Sequence, residues 1–365
     1  KKLHLGDDTY LHEVSADKLD IVVGGQTILE LAEGGGGASD YMAIQALNKL
    51  YLDGGGNTYF QESAADEVVL VCGGESIRIA DATGTGENTI FGKDAALTLD
   101  ANSDANVFIG AYVADAALDG ADKNVGIGWH SLGGLTTGDY NVCIGTNTGK
   151  QIDTEQYNNF IGYDAGSGAG AADNCVGIGG YALAGATTSD ADGTVAIGHQ
   201  SLTALTGGYS NTAIGYQSLT TTATSDHNVA IGYQALQDLN YDGSSRNVAV
   251  GVYSQSNITG GIYNTTLGQN TLGTATTATN NTAIGYQAMG DVKAGVVVDK
   301  CVAIGHQALQ GNSNNTTGID GTVAVGHNAL TALTTGAGNT AIGYTALQEH
   351  PSGHSNTAIG YEAMS

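Results

Sequence analysis

Residues 211–219 read NTAIGYQSL, and the same grammar returns as NVAIGYQAL at 228–236, NTAIGYQAM at 281–289 and NTAIGYEAM at 356–364. Each version turns on one glycine. Sixteen such anchors align: Gly92, Gly110, Gly128, Gly145, Gly162, Gly179, Gly198, Gly215, Gly232, Gly251, Gly268, Gly285, Gly305, Gly326, Gly343 and Gly360. Most neighbours stand 17 residues apart and the rest 18 to 21. A fixed period this short belongs to stacked, quasi-one-dimensional folds, in which each unit buries its apolar face against its neighbours.

Positions are counted from the anchor glycine as zero. Position −1 is aliphatic or Phe in every copy, and −3 is Val or Thr in all but one, where Asn159 stands. β-Branched residues two apart share one face of a strand and suit a pleat. The alternation therefore predicts that −3 and −1 fill an interior. Leu or Met at +4 is predicted to join them from a second short strand after the glycine bend, with a polar loop closing the coil. Position −2 is usually Ala, as at Ala196, Ala213, Ala230, Ala283 and Ala341. On this reading it points outward, and a file of small residues lets a neighbouring subunit approach, most simply around a threefold axis. Position −4 is Asn in twelve copies, which predicts an asparagine ladder along the stack. Sixteen coils at the ~4.8 Å strand spacing make a rod of roughly 75 Å.

Composition agrees with an ordered fibre. Of 365 residues, 57 are Gly, one is Pro, 41% are hydrophobic and 13% are charged. A disordered chain carries fewer aliphatics and more charge. The net charge of −25 excludes a basic phosphate-binding surface, hence nucleic acid, and disfavours an anionic membrane face. No apolar run reaches the ~20 residues of a membrane-spanning helix, so no membrane insertion is expected. Cys72, Cys143, Cys175 and Cys301 are isolated from one another and read as buried free thiols. No cofactor or metal motif is present. The chain opens at Lys1 rather than Met, as expected of a processed product or part of a longer chain.

The grammar divides the chain into 1–31, a first β shaft repeat; 32–48, a Gly-rich linker; 49–87, a second shaft repeat; and 88–365, the sixteen-coil region. The two shaft repeats are a duplication, in which Gly6–Leu29 matches Gly55–Ile79. Each has a period-2 strand (Leu19, Ile21, Val23; Val68, Leu70, Cys72), a Gly-Gly turn and a return strand. Met42 to Leu47 reads as a helical turn held by packing.

On these residues the chain resembles bacteriophage tail fibres and tailspikes. The GDDTY…DKLDIVVGGQTIL stretch is similar to fibre shaft segments. The NTAIGYQAL coils resemble those that precede C-terminal intramolecular chaperones in such fibres, and also the head repeats of trimeric autotransporter adhesins. The resemblance implies an all-β fibrous fold: a parallel β-solenoid or β-roll, or an intertwined triple β-helix, in a homotrimer. It implies a structural, non-catalytic tail fibre of an extracellular virion, made in the host cytoplasm. Its partners would be itself, other tail proteins and a host-surface glycan or protein. Alternatives are a cell-surface adhesin or extracellular filament subunit, and a glycan-depolymerising tailspike.

The side chains suited to a ligand are the aromatics at +1 and the glutamines at +2. Trp129, Tyr163, Tyr216, Gln217, Tyr233, Gln234, Tyr286 and Gln287 are the candidate ligand-binding residues, because rings stack on sugars and amides bond their hydroxyls. The competing structural reading is that stacked rings tie neighbouring coils together. His350 and His354 flank a Pro-Ser-Gly loop and, repeated around a threefold axis, would suit a metal. Asp190, Asp192, Asp238, Asp242 and Asp320 are the loop acids from which a depolymerase would draw its carboxylate pair.

Overall fold

A computed structural model describes the backbone of nine strands between Lys2 and Ala80, and residues 88–365 apart from 101, 186, 188–190, 293 and 312–315. The described residues contain strands and turns and no α-helix. Strands β1 (Lys2–His4), β2 (Tyr10–Ser15), β3 (Lys18–Val23), β4 (Gln26–Ala32) and β5 (Tyr41–Ile44) form an antiparallel meander in chain order. Strands β6 (Lys49–Tyr51), β7 (Tyr59–Ala64), β8 (Glu67–Cys72) and β9 (Glu75–Ala80) repeat the first four. The register shift between Glu13 and Ser15 recurs between Glu62 and Ala64, so the duplication extends to backbone irregularities.

The first meander corrects the reading of Met42 to Leu47 as a helical turn. Tyr41–Ile44 is a strand, paired with β4 through Leu31↔Met42. Its counterpart after β9 is β10 (Thr89–Gly92), antiparallel to β9 through Ile90↔Ala80 and parallel to Val107–Ile109 on its other side. One strand thus converts an antiparallel meander into a parallel stack. The Gly-Gly pairs at 24–25 and 73–74 and the GGGG at 34–37 lie outside the described residues.

From β10 to Thr357–Ile359, sixteen short strands pair in parallel, each with equivalent positions in register, as in Thr212↔Val229, Ala213↔Ala230 and Ile214↔Ile231. Every coil hands on to the next within the same chain, so this is a self-coiled parallel β-solenoid rather than an intertwined helix.

The two faces of each strand are the reverse of the sequence expectation. Ala196, Ala213, Ala230, Ala249, Ala283, Ala303, Ala324 and Ala341 at −2 are fully buried inside the chain's own coil. They are not the surface that meets a neighbouring subunit. Val or Thr at −3 and Ile at −1 lie half-exposed outside. Volume explains the inversion. The coil is narrow, and Leu at +4 already crosses it, so the strand opposite can contribute only a methyl group. Where −2 is large, +4 shrinks: Phe108 faces Ala114 and Phe160 faces Gly166. A Cβ on Gly166 would sit 2.3 Å from the Phe160 ring, and one on Gly149 2.4 Å from Cys143 Sγ. Close-packed interiors conserve total volume in this way.

Further walls were read as polar loop. Position +7 supplies buried Leu135, Ile152, Leu205, Leu239, Ile258, Val292 and Leu333. The segment after the anchor is not a second strand. It is a run of turns in which +2 and +4 are left-handed, as at Gln217 (φ 53°) and Leu219 (φ 50°). Non-Gly residues hold this conformation at a cost of ~1–2 kcal/mol each. The coil-to-coil bonds they make stabilise it: Gln217 N–H donates to His199 O at 3.0 Å and Leu219 N–H to Ala235 O at 3.1 Å. The anchor itself must be Gly. Gly215 has φ +138°, and a Cβ there would lie 2.3 Å from Gly232 O.

The asparagine ladder is present. Asn228 N–H donates to Asn211 Oδ1 at 3.0 Å, and Asn124 Nδ2 donates to Gly138 O at 2.8 Å. The ladder satisfies backbone groups that a buried turn would leave unpaired. Cys175 and Cys301 replace Asn and give their thiols to Ala191 O and Ile319 O. Burial raises both pKa values to about 11, so the thiols stay protonated at neutral pH. Burial also pushes up the Cys143 thiol. These three cysteines are free and buried, as expected; the Cys72 side chain lies outside the described residues.

Candidate functional site

The glycine bend turns +1 outward, and the 17-residue period places successive +1 side chains one above another. These rings, joined by two tyrosines at +2, form two stacks. The first runs Tyr163, Tyr181, His199, Tyr216, Tyr233, Tyr253, with neighbouring centroids 5.2 to 6.0 Å apart. The second runs Tyr286, His306, His327, Tyr344, Tyr361, at 4.8 to 5.2 Å. Tyr216 and Tyr233 are nearly parallel, at 7°. Trp129 stands apart from both stacks and pairs with His130 at 5.3 Å.

Tyr163, Tyr216, Tyr233 and Tyr286 therefore sit where the sequence placed them, in one exposed file, but each ring leans on its neighbours. Tyr181 and Tyr253 belong to the same file and were missed, because they occupy +2 beside Gly180 and Val252. A second exposed ring pair at −5, Tyr140 with Tyr157 at 4.9 Å, was also missed; Lys123 Nζ lies 5.0 Å from the Tyr140 centroid. The regular return of Tyr five residues before Gly145 and Gly162 was the available signal.

The glutamines form a matching amide ladder. Gln217 Nε2 donates to Gln200 Oε1 at 2.8 Å, Gln234 Nε2 to Gln217 Oε1 at 2.8 Å, and Gln307 Nε2 to Gln287 Oε1 at 3.1 Å. Each bonded amide keeps part of its capacity for a ligand. The Asp164 carboxylate raises the Tyr163 pKa, and the hydrogen bond with Tyr253 raises that of Tyr233.

The loop acids act on backbone. Asp192 Oδ1 accepts from Asp173 N–H at 2.8 Å, and Asp320 Oδ1 from Asp299 N–H at 2.9 Å, repeating the bond of Asp122 to Asp104 N–H. Asp242 lines an open groove with Tyr209 and Asp226. Asp190 lies outside the described residues. His354 Nδ1 accepts from Ala337 N–H at 3.1 Å, whereas His350 Nδ1 is buried without a partner. Among the described residues, no three His, Cys, Asp or Glu side chains converge as metal ligands, and no helix is long and apolar enough to cross a membrane. Comparison with protein-family models, with curated proteins and with solved structures finds no match to this chain.

Proposed function

We propose that the chain is a structural, non-catalytic shaft of a phage tail fibre. In this reading it assembles as a homotrimer in the extracellular virion, joins other tail proteins and binds a glycan or protein on the host surface. The observation that carries the proposal is the bare outer face of the parallel sheet. Parallel sheets are normally covered on both faces. Here one face packs on the coil interior, while Val or Thr at −3 and Ile at −1 stand half-exposed from end to end, with no charged residue in either row.

That strip is about 75 Å long and two side chains wide, hence on the order of 500 Å². It is at the upper end of the apolar patches that monomers expose. A partner that covers it must repeat once per coil, and a second copy of this chain has that repeat by construction. A standard interface buries about 800 Å² per partner, so the flanking rows would also contribute. Backbone-capping roles for Asp192 and Asp320 favour a fibre over a depolymerase. The resemblance of the shaft and coil grammars to tail fibres supplies the viral setting.

Light scattering on the purified chain tests the assembly. The expected mass is three times the 36.8 kDa of one chain. A monomeric mass overturns the proposal. Ile214→Asp with Ile231→Asp, on the outer face, is expected to give monomers that keep the β-solenoid circular dichroism.

A further inference from the structure

The amide ladder is interrupted in two successive coils, and the ring file breaks in the second of them. In the Gly251 and Gly268 coils, +1 is Val252 and Gln269, and +2 is Tyr253 and Asn270. Tyr253 meets Tyr233 edge-on at 5.2 Å, but among the described residues no ring follows it before Tyr286, two coils further on. At the coil rise of ~4.8 Å this leaves a gap of about 10 Å along the file. The Asn270 side-chain amide makes no hydrogen bond among the described residues, whereas the glutamines on either side bond one another.

A third feature coincides with these two. Position +5 carries Thr203, Thr220 and Gln237 before this point and Gln310, Thr331 and Gln348 after it, but Ser256, Gly273 and Gly290 within it. An open groove of about 320 Å³ lies at Gly273 and Gly290, lined also by Tyr253, Asn257, Asn270, Thr274 and Asp291. Several of its polar atoms are already engaged: Thr274 Oγ1 donates to Gly290 O at 3.1 Å, Ser256 Oγ to Gly273 O at 3.5 Å, Asn257 Nδ2 also to Gly273 O, and Gln310 Nε2 to Asp291 Oδ2 at 2.6 Å. The Asn270 amide and Asp291 Oδ1 remain for a ligand, while the Tyr253 hydroxyl shares a hydrogen bond with Tyr233.

We propose that this groove, between the two ring stacks, binds a neutral pyranose unit of a glycan. It rests on the reading of the chain as a surface-binding fibre and gives that reading a location. Tyr253 is partly exposed at the groove, and the electron-rich π-face of a tyrosine ring suits the electropositive C–H face of a sugar. The amide offers donors and an acceptor, and the free carboxylate oxygen accepts from hydroxyls. The volume lies at the small end of ligand sites, ~300–1,000 Å³, which suits one ring-sized ligand. A carboxylate in the groove, on a chain of net charge −25, selects against acidic sugars. The groove shares no residue with the Val/Ile face.

The test is saturation-transfer NMR on the full chain with the methyl glycosides of glucose, galactose, mannose and N-acetylglucosamine, and with N-acetylneuraminic acid as the acidic comparison. At least one neutral glycoside is expected to bind. Gly273→Gln refills the groove with the side chain that Gln237 and Gln310 carry at the equivalent position, and is expected to weaken binding about tenfold or more, ~1.4 kcal/mol. Tyr253→Ala and Asn270→Ala are expected to weaken it similarly, which keeps the test decisive if Gly273→Gln does not fold. Thr220→Ala, at the same +5 position but outside the groove, is expected to leave it unchanged. Neutral-sugar binding that survives the groove variants overturns this location and leaves glycan binding standing. Absence of binding to the wild type, or preference for the acidic sugar, overturns the proposal, while the trimer mass remains an independent measure of the fibre.

Discussion

The Gly215 and Gly232 coils share a backbone course with the Gly251 and Gly268 coils but differ in their interiors. The first pair encloses Ala213, Leu219, Ala230 and Leu236, all apolar. The second encloses Ala249, Gln255, Thr266 and Leu272, with Ser254 and Thr271 beside them. Ser254 Oγ bonds Thr266 Oγ1 at 2.6 Å and Thr271 Oγ1 at 2.8 Å, and Gln255 Nε2 donates to Val248 O and Thr266 Oγ1, both at 2.9 Å. Gln255 Oε1 is left buried without a partner. The polar layer coincides with the interrupted ring file and the groove. The backbone ladder, the anchor glycines and the asparagines therefore set the coil, and the interior side chains can depart from consensus while the ladder is kept.

The comparison breaks first at the ladder. Gly215→Val is expected to cost roughly 3–5 kcal/mol, from backbone strain together with the overlap on Gly232 O. The same substitution at Gly251, whose Cβ would meet Gly268 O at 2.4 Å, is expected to cost as much despite the different interior. Urea unfolding measures both, and a mild effect at either removes the backbone from its leading role. Leu219→Ala empties the apolar interior and is expected to cost about 2–5 kcal/mol, measured in the same way.

Alkaline pH probes the coils where Cys175 and Cys301 replace Asn. Their folded pKa is raised from 9.0 to about 11, so folding favours the protonated thiol. The associated stability is intact below pH 9 and is lost as pH rises toward 11, because only the unfolded chain ionises in that window. The loss is roughly 3 kcal/mol per thiol at most. Cys175→Asn with Cys301→Asn restores the ladder residue, and its unfolding midpoint is expected to decline less than that of the wild type over the same range.

Converting the polar layer to consensus, Gln255→Leu with Thr266→Ala, is expected to stabilise by about 1–2 kcal/mol, since it removes the unpaired Oε1. A destabilised variant would show that the hydrogen-bonded layer outperforms apolar packing there. The smallest effect belongs to Lys300→Gly. Lys300 is left-handed at φ 60°, where the two following coils carry Gly321 and Gly338, and the substitution is expected to add roughly 0.5–1 kcal/mol by thermal unfolding.

Much of the candidate site was legible because it is periodic. A residue type returning every 17 positions fixes a file, and Tyr163, Tyr216, Tyr233 and Tyr286 followed from that. Tyr181 and Tyr253 did not, because a one-residue shift hides a ring that three-dimensional stacking restores to the file. The groove was illegible for a related reason: it is made of side chains that are missing at Gly273 and Gly290, and a repeat alignment emphasises what is present.

The sequence by itself determined the period, the number of coils, the anchor glycines and the asparagine ladder, because backbone geometry admits few residues at those places. Alternation along Thr212, Ala213 and Ile214 also determined that each strand has two unlike faces. Which face is inside was decided only by the tertiary structure. A period of two is symmetric between inside and outside, and hydrophobicity alone favours burying Val and Ile. The width of the coil decides otherwise: with Leu219 reaching across, Ala213 is what fits, and the larger Thr212 and Ile214 are left on the outer face.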